Sequence, residues 1–475
     1  MKSPRRVFGF IRRARSLTLD SLASTRTRRG SDAGASVYDM MPPELWLKVF
    51  IRLPLYLLPS ITLTCRSFRS LAQPLLFAII STHPEGPGSH ALRAQAVKYR
   101  KRVSERLEFF FSPQISLAVR ECKISPPSPE EYGGPGDELI DEIFATLPKL
   151  PNLVVLECRY LRLTPERLAI LQTLHITTIR LEMCFGDISD FSAAPSVPLQ
   201  EVTFKYPVSS RRFREASPCL MFLSPSHLER LHATTTVVMH FIARSEPFLR
   251  LRSLDIPVEC LTSDLFLPAL HRCPAVEHIS FHVTDSLPHP PFEALPDGVL
   301  PLLESYRGPH HFAASFLAGR TTGRVEISVP TKVYHLQASL VKLDRTLQSL
   351  SFSIDGFDFP PVLLETIHAS FPTLRYLAVA QPALSSADIK GLLNAVPAHP
   401  TLADLTLRIQ GRDKFNLWIP PEEAAADAAS CFHKVHTVLL KTYPEIETVR
   451  FLHGVEGASA VWRRSPSSGL FLQVG

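Results

Sequence analysis

The sequence predicts an α/β protein: a short three-helix module followed by an irregular solenoid with a parallel inner sheet and outer helices. Three observations carry this expectation. From residue 153 onward a unit recurs that reads apolar, two residues, apolar, one residue, apolar. Proline is abundant, 42 of 475 residues, against 20 glycines, so many segments need a hard stop and few need a flexible joint. Finally, residues 41–77 are mostly apolar, carry no acid after Glu44 and are cut repeatedly by prolines.

A chain of 475 residues exceeds one ordinary domain unless it is a repeat array. The composition shifts divide it into a disordered basic tail (1–38), a helical module (39–80), a helical linker (81–110), the solenoid (111–460) and a C-terminal tail (461–475). The formal net charge of +6 is concentrated: the first 36 residues hold nine Lys/Arg and two Asp, which leaves the other 439 near neutral. The body therefore has no electrostatic case for specific nucleic-acid binding. The tail is rich in Arg and Ser, a composition shared by disordered arms and by targeting or lipid-surface segments.

In the module, Asp39 is an N-cap candidate ahead of Pro42-Pro43-Glu44, with proline and an acid in the first turn. Leu45, Val49 and Leu53 form one apolar stripe, and Trp46 and Phe50 a second beside it, before Pro54 stops the helix. Leu58, Ile61, Cys65, Phe68 and Leu71 predict a second helix closed by Pro74, and Leu75-Leu76-Phe77 begins a third element. Apolar residues on several faces of about 40 residues cannot all be buried within the module, so it needs a partner surface.

These residues carry a resemblance. "PPELWLKVFIRLP" followed by "CRSFRSLAQPLLF" resembles the F-box, the three-helix motif that docks on the Skp adaptor of Skp–cullin–F-box ubiquitin ligases. The matching positions are Pro43, Glu44, Leu45, Val49, Phe50, Leu53, Pro54 and Cys65 to Phe68. The family usually has Asp where Leu57 stands and Leu where Pro59 stands. Loss of that cap costs about 1 kcal/mol, and Pro59 fits only at a helix start. The resemblance implies adaptor contacts from Pro43, Leu45, Val49, Phe50, Leu53, Pro54 and Leu58.

In the repeats, the second apolar position falls at 156, 179, 202, 231, 254, 279, 306, 325, 350, 377, 405 and 449. All but two of the gaps lie within 20–29 residues, the period of leucine-rich repeats. An extra strand, "ISLAVREC" from Ile115, is expected ahead of the first. Thr164-Pro165-Glu166, Ser263-Asp264 and Ser386 mark helix starts between strands. Pro151, Pro274, Pro301, Pro372, Pro400 and Pro444 each stand two residues before a unit, where a helix has ended and a strand has not begun. A short strand and a helix cannot bury their apolar sides alone, whereas stacked neighbours can. The pattern resembles the leucine-rich-repeat horseshoe of many F-box proteins but lacks its asparagine, the equivalent positions holding Leu161, Cys184, Pro207, Thr236 and Glu259.

Residues flanking the third apolar position should face the open inner side. They include Glu157, Arg159, Arg180, Glu182, Lys205, His232, Asp255 and His282, with Glu326 and Arg408 further on. Their mixed signs point to a protein-binding surface, so the first eight are the candidate substrate contacts.

Eight cysteines never form CxxC, which fits buried reduced thiols in a cytoplasmic or nuclear protein better than zinc ligands or disulfides. The longest charge-free piece of the module, between Arg52 and Arg66, contains Pro54 and Pro59 and is no membrane span. There is no P-loop, HExxH or GxSxG; "GGPG" at 133–136 is not bounded like a phosphate loop. Adjacent His310 and His311 would diverge on a helix. The expectation is a non-catalytic protein without cofactor or metal: a substrate-recognition subunit joined through the Skp adaptor to cullin, its protein substrate unnamed. The alternative is a repeat scaffold whose N-terminal helices only cap the solenoid.

Overall fold

The computed structural model describes residues 41–82, 101, 104–105, 107–125, 136–186, 197–206, 217–283, 294–355, 359–409, 421–453 and 458–474. The basic tail, Asp39, nearly all of the "GGPG" loop and most of the predicted linker lie outside the described residues. The chain forms two compact units, Met1–Leu76 and Phe77–Gly475.

The first unit holds α1 (Pro43–Ile51), a 3-10 turn (Leu55–Leu57), α2 (Leu58–Thr62) and α3 (Arg66–Leu76). Proline opens α1 in its first turn, with Glu44 near the positive end of the dipole and Lys48 near the negative end. The long second helix expected through Leu71 is in fact two. The hydroxyls of Thr62 and Thr64 donate back to the carbonyls of Pro59 and Ile61, and α2 stops there. Cys65 then starts α3 as a cap would, its sulfur accepting the Phe68 N–H at 3.4 Å. Pro74 does not close the helix but lies inside it, two residues from its end. Pro59 sits in the first turn of α2, where its missing N–H leaves no bond unmade, and Leu57 at the cap position offers no side-chain acceptor.

The second unit is built on one sheet. Its strands are β1 (Ile79–Thr82), β2 (Glu121–Ile124), β3 (Val155–Arg159), β5 (Thr178–Glu182), β7 (Glu201–Lys205), β8 (Arg230–Ala233), β9 (Ser253–Pro257) and β10 (His278–His282). They continue as β11 (Ser305–Gly308), β12 (Arg324–Ile327), β13 (Ser349–Phe352), β14 (Tyr376–Leu384), β15 (Asp404–Ile409), β16 (Thr448–His453), β17 (Ala458–Arg464) and β18 (Phe471–Gln473). Two short strands, β4 (Arg162–Leu163) and β6 (Phe185–Gly186), pair separately. The order in the main sheet is sequential, parallel through β16, and antiparallel for β17 and β18.

The pairing register is the one the repeat predicts. Leu156 pairs with Ile179, Ile179 with Val202, Val202 with Leu231 and Leu231 with Leu254. The row continues through Ile279, Tyr306, Val325, Leu350, Leu377 and Leu405 to Val449. Every member is at most 2% exposed. Each buried side chain of this size contributes roughly 1.5–3 kcal/mol, and a one-residue slip would turn the whole set of one strand outward.

Helices follow the strands and close the core over this row: α4 (Gly136–Thr146), α5 (Pro165–Gln172), α6 (Val237–Arg244), α7 (Phe266–His271), α8 (His310–Leu317), α9 (Val333–Leu340), α10 (Pro361–Ser370), α11 (Ser386–Ala395) and α12 (Pro421–Thr442). The Thr164 hydroxyl caps α5, accepting the Arg167 N–H, and Ser385 with Asp388 forms a capping box on α11. Helix α7 begins two residues later than Ser263-Asp264 predicts. The wide gap between Leu405 and Val449 is spanned largely by the 22-residue α12. All six prolines named above stand in the turn that leads into a strand.

Three expectations are corrected. The extra strand is β2, beginning at Glu121 rather than Ile115, because Pro113 opens a helical turn at Pro113–Ser116. Strand β1 crosses residue 80, so the body's sheet begins inside the span assigned to the module. Residues 461–475 are no tail: they contain most of β17 and all of β18, joined by a turn in which Gly469 takes φ +67°. Trp462 on β17 is 5% exposed and stacks on Phe432 of α12 at 4.8 Å, which seals the last parallel strand.

Candidate functional site

The module has its own small core. Phe50, Leu58 and Ala72 are buried, with Trp46, Leu53, Ile61 and Phe68 packed around them. The rings of Trp46 and Phe68 lie 4.7 Å apart and those of Phe50 and Phe68 5.0 Å, the latter edge to face. The two stripes of α1 are thereby separated. Trp46 and Phe50 face the core, while Leu45 and Val49 remain exposed.

Of the predicted adaptor contacts, Pro43, Leu45, Val49 and Pro54 are exposed and Leu53 is half-buried. Phe50 and Leu58 are corrected from contacts to core: at 3% and 1% exposure they have no surface to offer. The structure adds apolar residues the motif reading passed over, Ile51, Leu55, Tyr56, Leu57 and Leu63, all exposed. The signal for them was present as an excess of apolar residues over what so short a segment can bury. Single exposed apolar side chains are ordinary, but this many in one small module mark an interaction surface.

On the body, β8, β10, β12 and β13 alternate between side chains buried in the core and side chains on the open face, while on β3 and β7 the middle residues Glu157 and Thr203 are buried as well. The eight predicted substrate contacts are drawn together on β3 through β10, seven of them on the open face, while Glu157, at 6% exposure, is buried under its ion pairs and is corrected from a contact to a support for its neighbours. A hollow of about 390 Å³ is lined by Glu157, Arg159, Arg180, Glu182, Lys205 and His232, with Leu181 and Thr203. Asp255 and His282 adjoin it through His232: Asp255 accepts from the Nδ1 of both histidines, at 2.5 Å from His232 and 3.3 Å from His282.

The mixed signs resolve into a network. Glu157 pairs with Lys123 at 3.5 Å and with Arg159, Arg159 reaches Glu182 at 3.3 Å, and Arg180 reaches Glu121 at 3.5 Å. Burial works to raise the Glu157 carboxyl, but the hydrogen bonds and charges of Arg159 and Lys123 outweigh it and hold the group below its ordinary value. Asp255 behaves alike: burial opposes its charge, and the two histidine hydrogen bonds overcome this and keep it ionised. Glu121 and Lys123 were missed by sequence reading because the first strand was placed too early. Their "ECKI" alternation was the available signal. Glu326 lies further along the face and pairs with Arg307 at 3.2 Å.

Seven of the eight cysteines are buried and all are free, with burial pushing Cys122 and Cys273 to about 12 and Cys219 and Cys431 to about 11. Thiols held so far from ionisation are poor nucleophiles. Among the described residues no helix is long and apolar enough to cross a membrane.

No curated protein matches this chain. Residues 39–78 match the family model of the F-box domain, over the same helices whose apolar residues are left exposed. A domain of this kind mediates protein–protein interaction, and the chain that carries it is an F-box protein.

Proposed function

We propose that this chain is the substrate-recognition subunit of a Skp–cullin–F-box ubiquitin ligase. Its module docks on the Skp adaptor through Leu45, Val49, Pro54 and the exposed residues of the turn that follows. The leucine-rich-repeat-like body presents the charged open face of β3 to β10 to a protein substrate. The observation that carries the reading is the exposure of Leu45 and Val49 on a helix whose other stripe is already packed. The chain itself supplies proximity. Catalysis belongs to the partners, and tethering raises the effective concentration of a substrate lysine near the ubiquitin-charged enzyme. Free, buried cysteines fit a cytoplasmic or nuclear setting.

The test is capture of purified Skp adaptor by the full chain and by the Leu45→Ala/Pro54→Ala double variant. The wild type is expected to retain adaptor and the variant to lose at least tenfold in affinity. Equal recovery by both, or none by either, would sink the proposal and leave a repeat scaffold as the reading.

A further inference from the structure

His232, Asp255 and His282 come from three consecutive strands, β8, β9 and β10, and converge on one point of the open face. Their ligand-capable atoms all lie within 4.8 Å of one another. Both imidazoles turn Nδ1 toward the same carboxylate, His232 to one oxygen and His282 to the other, with ring centroids 5.5 Å apart. We propose that this triad is a binding site for a divalent transition-metal ion, zinc foremost.

The backbone sets the convergence. His232 and Asp255 are direct partners across the β8–β9 ladder, and Pro257 pairs with His282 across β9–β10. The three side chains share the open face because each stands an even number of residues from a paired position. Two imidazoles and one carboxylate are the donors that borderline dications prefer, and three protein ligands leave a fourth position for water or an incoming group. At metal–ligand bonds near 2.0–2.1 Å, tetrahedral ligand atoms stand roughly 3.3 Å apart. His282 Nδ1 stands 3.3 Å from one Asp255 oxygen, the separation this needs, and His232 Nδ1 stands 2.5 Å from the other, a contact that opens by under about 1 Å when both oxygens face the ion. The side chains are 26–32% exposed, so an ion can reach the triad from solvent. His232 also lines the neighbouring hollow, which brings the open coordination position to its edge.

The site escapes sequence search because its members lie 23 and 27 residues apart, one repeat each, whereas the usual zinc signatures bring ligands in tight pairs. The inference does not depend on what the F-box docks on.

The experiment is zinc titration of the metal-free full-length protein by calorimetry, with cobalt absorption as a spectroscopic readout and thermal unfolding alongside. The expected result is one ion per chain at micromolar affinity or better and a rise in the unfolding temperature with zinc. Asp255→Asn and His282→Gln should each weaken binding at least tenfold and abolish the zinc-dependent rise. Asp255→Asn keeps the side chain's size, so an unchanged metal-free melting curve separates lost ligation from lost folding. His433→Ala/His436→Ala, which removes a histidine pair three residues apart on α12, should leave the tight site unaltered. Absence of stoichiometric zinc binding, or binding indifferent to the triad variants, would overturn the proposal and leave a triad held by hydrogen bonds alone.

Discussion

Leu45 and Phe50 stand five residues apart on α1 and end in opposite environments, Leu45 at 44% exposure and Phe50 at 3%. One helix thus divides its apolar residues between an outward surface and an inward core. Leu45→Ala should leave the module's stability within about 0.5 kcal/mol while weakening adaptor capture. Phe50→Ala should cost about 3–5 kcal/mol and unfold so small a unit. Urea unfolding followed by Trp46 fluorescence, beside the capture assay, separates the two effects. Equal destabilisation by both substitutions would contradict the assignment.

The buried row makes an equally sharp contrast on β10. Ile279 is 1% exposed and pairs in register with Leu254 and Tyr306, while neighbouring Ser280 is on the open face. Ile279→Ala should lower unfolding free energy by about 2–5 kcal/mol, whereas Ser280→Ala should change it by no more than about 0.5 kcal/mol. Chemical denaturation of the full chain measures both.

A third expectation concerns acid. His368 of α10 donates from Nδ1 to the Pro397 carbonyl and accepts the Tyr443 hydroxyl at Nε2, and its ring lies 4.7 Å from that of His399. Burial, with the neighbouring His399 adding to it, depresses His368 to about 4, and burial lowers His399 as well. Unfolded histidine titrates near 6.5, so between about 6.5 and 4 the unfolded chain binds more protons than the folded one. The stability held by a neutral His368 is complete above that window and is lost as pH falls through it, by an amount on the order of 2 kcal/mol near pH 5. His310, lowered to about 4 chiefly by burial, adds a loss of the same sign. Urea midpoints at about pH 7.5 and pH 5 should show the drop, and His368→Gln should show a smaller one.

The C-terminal hairpin supplies the last prediction. Trp462 covers Phe432 and Phe451, and removing it exposes the end of the core. Trp462→Ala should cost about 3–5 kcal/mol. Truncation before residue 458 should leave β16 as an open edge prone to self-association, which light scattering would register. A truncated chain as monomeric and stable as the full one would show that the hairpin is dispensable.

The repeat was legible because burial on one face imposes a period. Each strand needs an apolar residue at its second position, and those positions read straight off the sequence became the row from Leu156 to Val449. Strand ends were less legible. Pro113 drew the residues after it into a helical turn, and the strand predicted there moved to Glu121. The closing strands were read as a tail because β17 and β18 carry no copy of the repeat and follow the hairpin's own alternation instead.

What the sequence determined alone was local: an apolar pattern whose period names strand and helix, prolines that end segments, and the F-box motif at residues 39–78. Only the tertiary structure decided which equally apolar residues face inward, since Leu45 and Phe50 are indistinguishable by hydrophobicity until Phe68 packs against one of them. It also decided that His232, Asp255 and His282 meet. Residues a full repeat apart become neighbours only when parallel strands lock in register, and that locking is a property of the stacked sheet rather than of any one repeat.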